Sequence, residues 1–239
     1  MITAIAFVPS TPMLIPAVAS GASAELDLAR TCSIDAINRV TKMADEVVIV
    51  GAGAYTRRLD DAVGTFDGFG VSASVSLNPD RVVEASARTS STHVGLASAV
   101  GIWLLNQTQW QGVRAVHEVS ADETQDGLAQ VATDVAALPG STALIIVGDG
   151  SAARTEKSPG YLHPDATAFD GLVQQALVAG DPTLLASLDR SQAQGVMAAG
   201  WPAWQVAALA VEGRDIHARC DYSEAPYGVG YFVATWVCS

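Results

Sequence analysis

Short, wholly apolar runs take turns with stretches of helical periodicity along most of this chain. Ile2 to Val8 is the first such run. It is closed by Pro9-Ser10-Thr11-Pro12 and reads as a buried strand entering an irregular loop. From Ser23, read as an N-cap, apolar residues recur at Leu26, Ala29, Ile34, Ile37, Val40 and Met43, the spacing of an amphipathic helix. Glu46 to Val50 follows as a strand. Its Val47, Val48, Ile49 and Val50 lack polar alternation, as expected of a parallel strand covered by helices on both faces, and Gly51-Ala52-Gly53 ends it.

Val71 to Leu77 alternates with Ser72, Ala73, Ser74 and Ser76 and reads as an edge strand. Leu96 to Leu105 reads as a helix, Val113 to Val119 as a strand and Ala121 to Leu138 as a helix. Ala143 to Val147 is another apolar strand, running into Gly148-Asp149-Gly150-Ser151. Helices then dominate: Pro164 to Ala179, Pro182 to Leu188, Ser191 to Ala199 and Pro202 to Val211, each opened by a Pro, Asp or Ser signal. Ile216 to Tyr222 and Gly230 to Val237 close the chain as strands. With no repeat or linker in view, residues 1–239 read as one α/β domain of three layers, α/β/α, around a mostly parallel sheet. Ligands of such sheets bind beyond the carboxyl ends of the strands. That rule singles out the loops Pro9 to Pro16, Gly51 to Arg58 and Gly148 to His163.

Composition narrows the partners. At 239 residues, 49% apolar and 16% charged, the chain can bury a core without disulfides or metals. A net charge of -12 repels phosphate backbones and anionic headgroups, so neither nucleic acid nor a membrane surface is expected. Cys32, Cys220 and Cys238 are widely spaced and form no CxxC, which fits reduced thiols in a cytoplasm. The apolar start carries no basic residue and is broken by Pro9, Pro12 and Pro16, unlike a secretion signal. No apolar run reaches the roughly 20 residues of a membrane-spanning helix.

Candidate chemistry sits on the three loops. Gly51-Ala52-Gly53-Ala54-Tyr55-Thr56 follows a strand as a dinucleotide fingerprint would, but Thr56 stands at the third glycine position; turn glycines at a strand end explain it equally. Asp149 and Ser151 at the sheet's mouth can orient a ligand or take up a proton, or Asp149 can cap its own turn. Arg154, Glu156 and Lys157 form a charged cluster on the same loop, suited to solvation or to an anion. His163 reads as a surface residue, and His117 and His217 as core or edge positions of strands. Trp201, Trp204, Tyr227 and Tyr231 are core aromatics or the walls of an apolar pocket. There is no Gly-x-Ser-x-Gly elbow and no Walker motif.

The opening FVPSTPMLIP resembles the P-H-P-P-L-L-I-P start of the B-subunit family of class III extradiol dioxygenases and its Memo-like relatives. EVVIVGAGA, GDGSAARTEKSPGYLHP and EAPYGVGYFVA resemble further segments of that family in order, from Phe7 to Ala234. The resemblance implies an extradiol dioxygenase B-subunit-like fold, a catechol-type substrate, association as subunits, and non-haem Fe(II) held by two His and one acidic residue. It also puts the family's first His on Ser10, its second on Gly53 and a proposed acid/base His on Ala152, none of which supplies an imidazole. Glu224, Asp221 and Cys220 lie near the strand that would carry the acidic ligand. Thr92-His93-Val94 matches the family's E-H-S segment, although a solvated histidine at a helix start reads the same way.

The expectation is therefore a dioxygenase-like protein without metal or other cofactor, keeping a cleft for a small molecule or a partner. Ser10, Gly53, Tyr55, His93, Asp149, Ser151, Ala152 and Glu156 are its lining candidates. Two alternatives accompany it: an extradiol-type enzyme with non-standard ligands, such as His93 with Asp149 or Glu156, and a non-catalytic interaction subunit, either a homo-oligomer or the companion of a catalytic chain.

Overall fold

The computed structural model describes residues 1–80 and 92–239. Its strands are β1 (Ile2–Val8), β2 (Glu46–Gly53), β3 (Arg57–Leu59), β4 (Val63–Thr65), β5 (Ser74–Ser76), β6 (Val113–Ser120), β7 (Thr142–Val147), β8 (Ile216–Glu224) and β9 (Tyr231–Cys238). Its helices are α1 (Pro16–Ala19), α2 (Asp27–Thr41), α3 (Leu96–Asn106), α4 (Gln125–Ala136), α5 (Ala166–Ala179), α6 (Pro182–Ala186), α7 (Arg190–Gly195) and α8 (Trp201–Ala210). The main sheet has seven strands in the order β3-β6-β2-β7-β1-β9-β8, and β4 pairs with β5 apart from it.

The fold is α/β, but the sheet is mixed rather than mostly parallel. β6, β2, β7 and β1 are parallel, as helical crossovers require. β3 runs antiparallel to β6, β9 to β1 and β8 to β9. The cause is local: the turn between β8 and β9 is too short for a crossover, and β3 doubles back directly after β2.

Alternation along the parallel strands builds two cores, one on each face. Ile5, Phe7, Val48, Val50, Leu144 and Ile146 pack with Leu128 of α4, Phe169 of α5 and Trp204 of α8. Val8, Val47, Ile49, Ile145 and Val147 pack with Ile37 of α2 and Val100 and Ile102 of α3. The aromatics divide accordingly. Trp201 and Trp204 belong to the first core, with the Trp201 indole N–H donating to the Leu188 carbonyl at 2.7 Å, while Tyr222 and Tyr231 belong to the second. The two tryptophans and Tyr231 therefore do not wall one pocket.

Several boundaries differ from the sequence reading. Ser23 is not an N-cap: Ser20–Leu26 is a 3-10 turn, and the α-helix starts at Asp27. Arg30 fixes this entry by donating to the carbonyls of Leu14 (2.6 Å) and Ser23 (2.9 Å). α4 starts at Gln125 rather than Ala121 because the Thr124 hydroxyl caps it, accepting from Gly127 N–H at 3.0 Å. α7 starts at Arg190 because Asp189 caps it, accepting from Gln192 N–H at 2.9 Å. Of Val71 to Leu77 only Ser74–Ser76 is strand, and it joins β4 instead of the main sheet. Among the described residues no helix is long and apolar enough to cross a membrane.

Candidate functional site

Register brings the loops singled out by sequence to one edge. Gly51 of β2 lies opposite Glu118 of β6 and Val147 of β7, and Val147 lies opposite Val8 of β1. Two residues further along, as the strands leave the sheet, Gly53, Asp149 and Ser10 share the parity of those positions, facing α2 and α3. The edge is thus a row running Gly53, Asp149, Ser10, with an acid at its centre and another beside its far end.

The Asp149 end is assembled by close backbone approaches. A Cβ on Gly148 would lie 2.2 Å from the Cα of Gly200 ahead of α8, and one on Gly150 would lie 2.6 Å from an Asp170 oxygen. Glycine on both sides of Asp149 is therefore a packing requirement. Asp149 Oδ1 accepts the Ser10 N–H at 2.7 Å, and its carbonyl accepts the Gly200 N–H at 2.8 Å. The side chain ties the β7 loop to the β1 loop instead of capping its own turn. Burial lifts its pKa to about 6 against the opposing pull of donors at Ser10 and Thr11. Tyr231, 3% exposed, has its phenol pushed far up by burial, and the charge of Asp149 adds to the push.

The Gly53 end is closed by a different acid. A Cβ on Gly53 would lie 2.7 Å from Glu118 Cβ and 2.9 Å from its carboxyl carbon. Glu118 is 1% exposed. Its Oε2 accepts from Arg57 Nε (2.9 Å) and Nη2 (2.7 Å), and its Oε1 accepts the N–H of Gly95, the N-cap of α3, at 2.6 Å. Arg57 is positioned by β3, where it pairs directly across from Glu118, and it also donates to the His93 carbonyl at 2.5 Å. His93 bridges to Val63 and has its Nδ1 enclosed with no partner among the described residues, so it is not the solvated helix-start residue of one sequence reading.

The remaining candidates are scattered. Ser151 is fully buried, its N–H and hydroxyl both donating to Asp170 of α5 at 2.7 Å. Burial raises the Asp170 pKa, held back by Ser151 and by Arg154, 3.7 Å away. Ala152 is held in the backbone, donating to Val196 and accepting from Gly160. Glu156 lines a surface cavity of about 540 Å³ with Thr155, Lys157, Pro226, Tyr227 and Gly228. Tyr55 is 71% exposed. His117 is buried, which lowers its pKa, and His217 is exposed on β8 at the sheet edge.

Sequence reasoning passed over Glu118, Arg57 and Asp170. One signal was available: Glu118 shares the parity of Val116 in a strand buried on both faces, and a carboxylate there requires a partner.

Iron of the kind the family resemblance implies does not fit these residues. Ser10 is engaged through its N–H, the space above Gly53 is filled by an already paired carboxylate, and Ala152 has no donor. Asp221 is taken by Arg39 and Arg219, and the Cys220 thiol pKa is raised by burial. Among the described residues no group of three or more His, Cys, Asp or Glu converges as a metal site.

No protein-family model matches the chain. None of the curated proteins matches it either. The crystal structure of uncharacterized protein JW3007 from Escherichia coli K12 is similar in fold, with a TM-score of 0.57 at 13% identity over 98% of this chain and 99% of that one.

Proposed function

We propose that this chain is a three-layer α/β/α domain of the extradiol dioxygenase B-subunit type that has lost iron-dependent ring cleavage and uses the carboxyl edge of its sheet as a cytoplasmic small-molecule cleft. The observation that carries the reading is the Glu118 carboxyl group lying where a side chain at position 53 would be. That position has not merely lost an imidazole. A neutralised, hydrogen-bonded ion pair occupies its volume, so an ion bound there would have to displace Arg57 and break the α3 N-terminal contact.

Oxygen uptake and product absorbance with catechol, in the presence of ferrous iron and ascorbate, test this directly. The expected result is no ring-opened product above the protein-free rate. Turnover proportional to protein would overturn the reading. The variant in which His93 joins Asp149 or Glu156 around a metal draws no support from their placement: His93 belongs to the Glu118 end, and Glu156 to the cavity beside Tyr227.

A second reading, a non-catalytic interaction subunit, is favoured by Tyr161 and Leu162, which stand 75% and 59% exposed on the loop after β7. Sedimentation of the pure protein tests its self-associating form. A concentration-independent monomer would remove that form.

A further inference from the structure

The amino edge of the sheet, opposite the loops described above, carries a cavity of its own. The helices that cross back from β1 and β2 both end there, just ahead of β2 and β6: α2 is capped by Lys42 and α3 by Gln107. With Asn38, Thr41, Thr108, Gln109 and Trp110 these caps line a surface cavity of about 470 Å³. That volume lies within the range of small-molecule sites.

Trp110 is built into this wall. The Arg114 guanidinium lies over its ring, 5.7 Å from the centroid, and a Cβ on Gly112 would come 2.2 Å from its Cζ2. Arg114 also donates to the Trp110 carbonyl, and the Thr108 hydroxyl accepts the Trp110 backbone N–H at 3.4 Å. A half-buried indole fixed in this way loses little freedom when a ligand packs on it. The side chains of Asn38, Gln109 and Trp110 hydrogen-bond to none of the described residues.

We propose that this cavity binds a neutral polyhydroxylated ring, a pyranose unit, with its C–H face on Trp110 and its hydroxyls on the Asn38 and Gln109 amides. The inference goes beyond the carboxyl-edge reading and does not depend on it. An amide offers donor and acceptor side by side, and a hydroxyl group, which is both, matches it. The Thr41 and Thr108 hydroxyls already donate to the carbonyls of Asn38 and Leu105, so each presents acceptor lone pairs. Among the described residues no carboxylate lines the cavity, which leaves a cationic ligand without a counter-charge. The one ammonium, on Lys42, sits at the C-terminus of α2 and meets the negative end of that helix. The end of α3 adds partial charge of the same sign, which disfavours an anion. A neutral ligand rich in hydroxyls remains, and the aromatic wall calls for an apolar face on it as well.

Titration of methyl glycosides of glucose, galactose and mannose into isotope-labelled protein, followed through the indole N–H signals, tests the proposal. Cyclohexanol and inorganic phosphate serve as controls, and Trp110→Phe identifies the Trp110 signal. At least one glycoside should shift that signal saturably, while cyclohexanol, which has the ring but a single hydroxyl, and phosphate leave it in place. Asn38→Ala/Gln109→Ala should weaken the glycoside about tenfold, the loss of two neutral hydrogen bonds. Tyr227→Phe, at the cavity beside Glu156, should leave its affinity unchanged. If the double variant fails to fold, Gln109→Ala, at an exposed position, carries the test with about a threefold loss. A Trp110 signal that no glycoside moves, that cyclohexanol or phosphate moves equally, or that responds with undiminished affinity in the Asn38 and Gln109 variants would overturn the proposal.

Discussion

Glu118 and Asp149 project from strands two apart on one sheet edge, on the same face, yet the fold treats them oppositely. Glu118 is sealed by a bidentate guanidinium and a helix N-cap N–H, the arrangement that lets a carboxylate stay charged in an interior. Asp149 is met by the donors of Ser10 and Thr11, which hold its pKa down, and burial outweighs them and raises its proton affinity. A buried acid with an internal cation is part of the scaffold. Asp149, met by hydrogen-bond donors instead, titrates nearer neutrality.

The contrast breaks most sharply at Arg57. Arg57→Met strands the Glu118 carboxylate in the interior and should cost about 4 kcal/mol in urea unfolding, with the double variant Arg57→Met/Glu118→Leu losing less than the sum of the single changes. Additive losses would mean that the two side chains act independently.

Asp149 should respond with the opposite sign. Its folded pKa lies above the ordinary 3.8, so the stability it contributes is full below that value and is lost as pH rises through about 6. Asp149→Asn, which can still accept from Ser10, should therefore stabilise the protein at pH 7.5. The ceiling set by the shift is about 3 kcal/mol, and the gain should shrink by about 2 kcal/mol at pH 4.5. Thermal unfolding at the two pH values checks this; a loss of stability at pH 7.5 would contradict it.

Gly53→Ala sharpens the geometry, since the new methyl meets Glu118 Cβ and should cost about 1–2 kcal/mol. Tyr55→Ser, at the same edge but 71% exposed, should change stability by less than about 0.5 kcal/mol.

Much of this architecture was legible in the chain because buried strands announce themselves. β1, β2 and β7 are built on nearly unbroken apolar runs, and the glycines that close β2 and follow β7 mark their ends. β3 and β4 were invisible: Arg57–Leu59 is a three-residue strand of two arginines and a leucine, too short and too polar for periodicity to register, and it exists because Arg57 reaches Glu118. For the site, the strand-end rule placed Ser10, Gly53 and Asp149 together. It could not reveal which acid would be neutralised, because the partners lie 61 residues apart for Glu118 and Arg57 and 19 for Asp170 and Ser151. Such pairings are products of strand order and register, which residue spacing along the chain does not encode.

Iron content is the property on which the account turns. Protein produced in iron-supplemented culture and purified without a chelating tag should contain iron far below one atom per chain by elemental analysis. A value near one per chain, retained through dialysis, would contradict it.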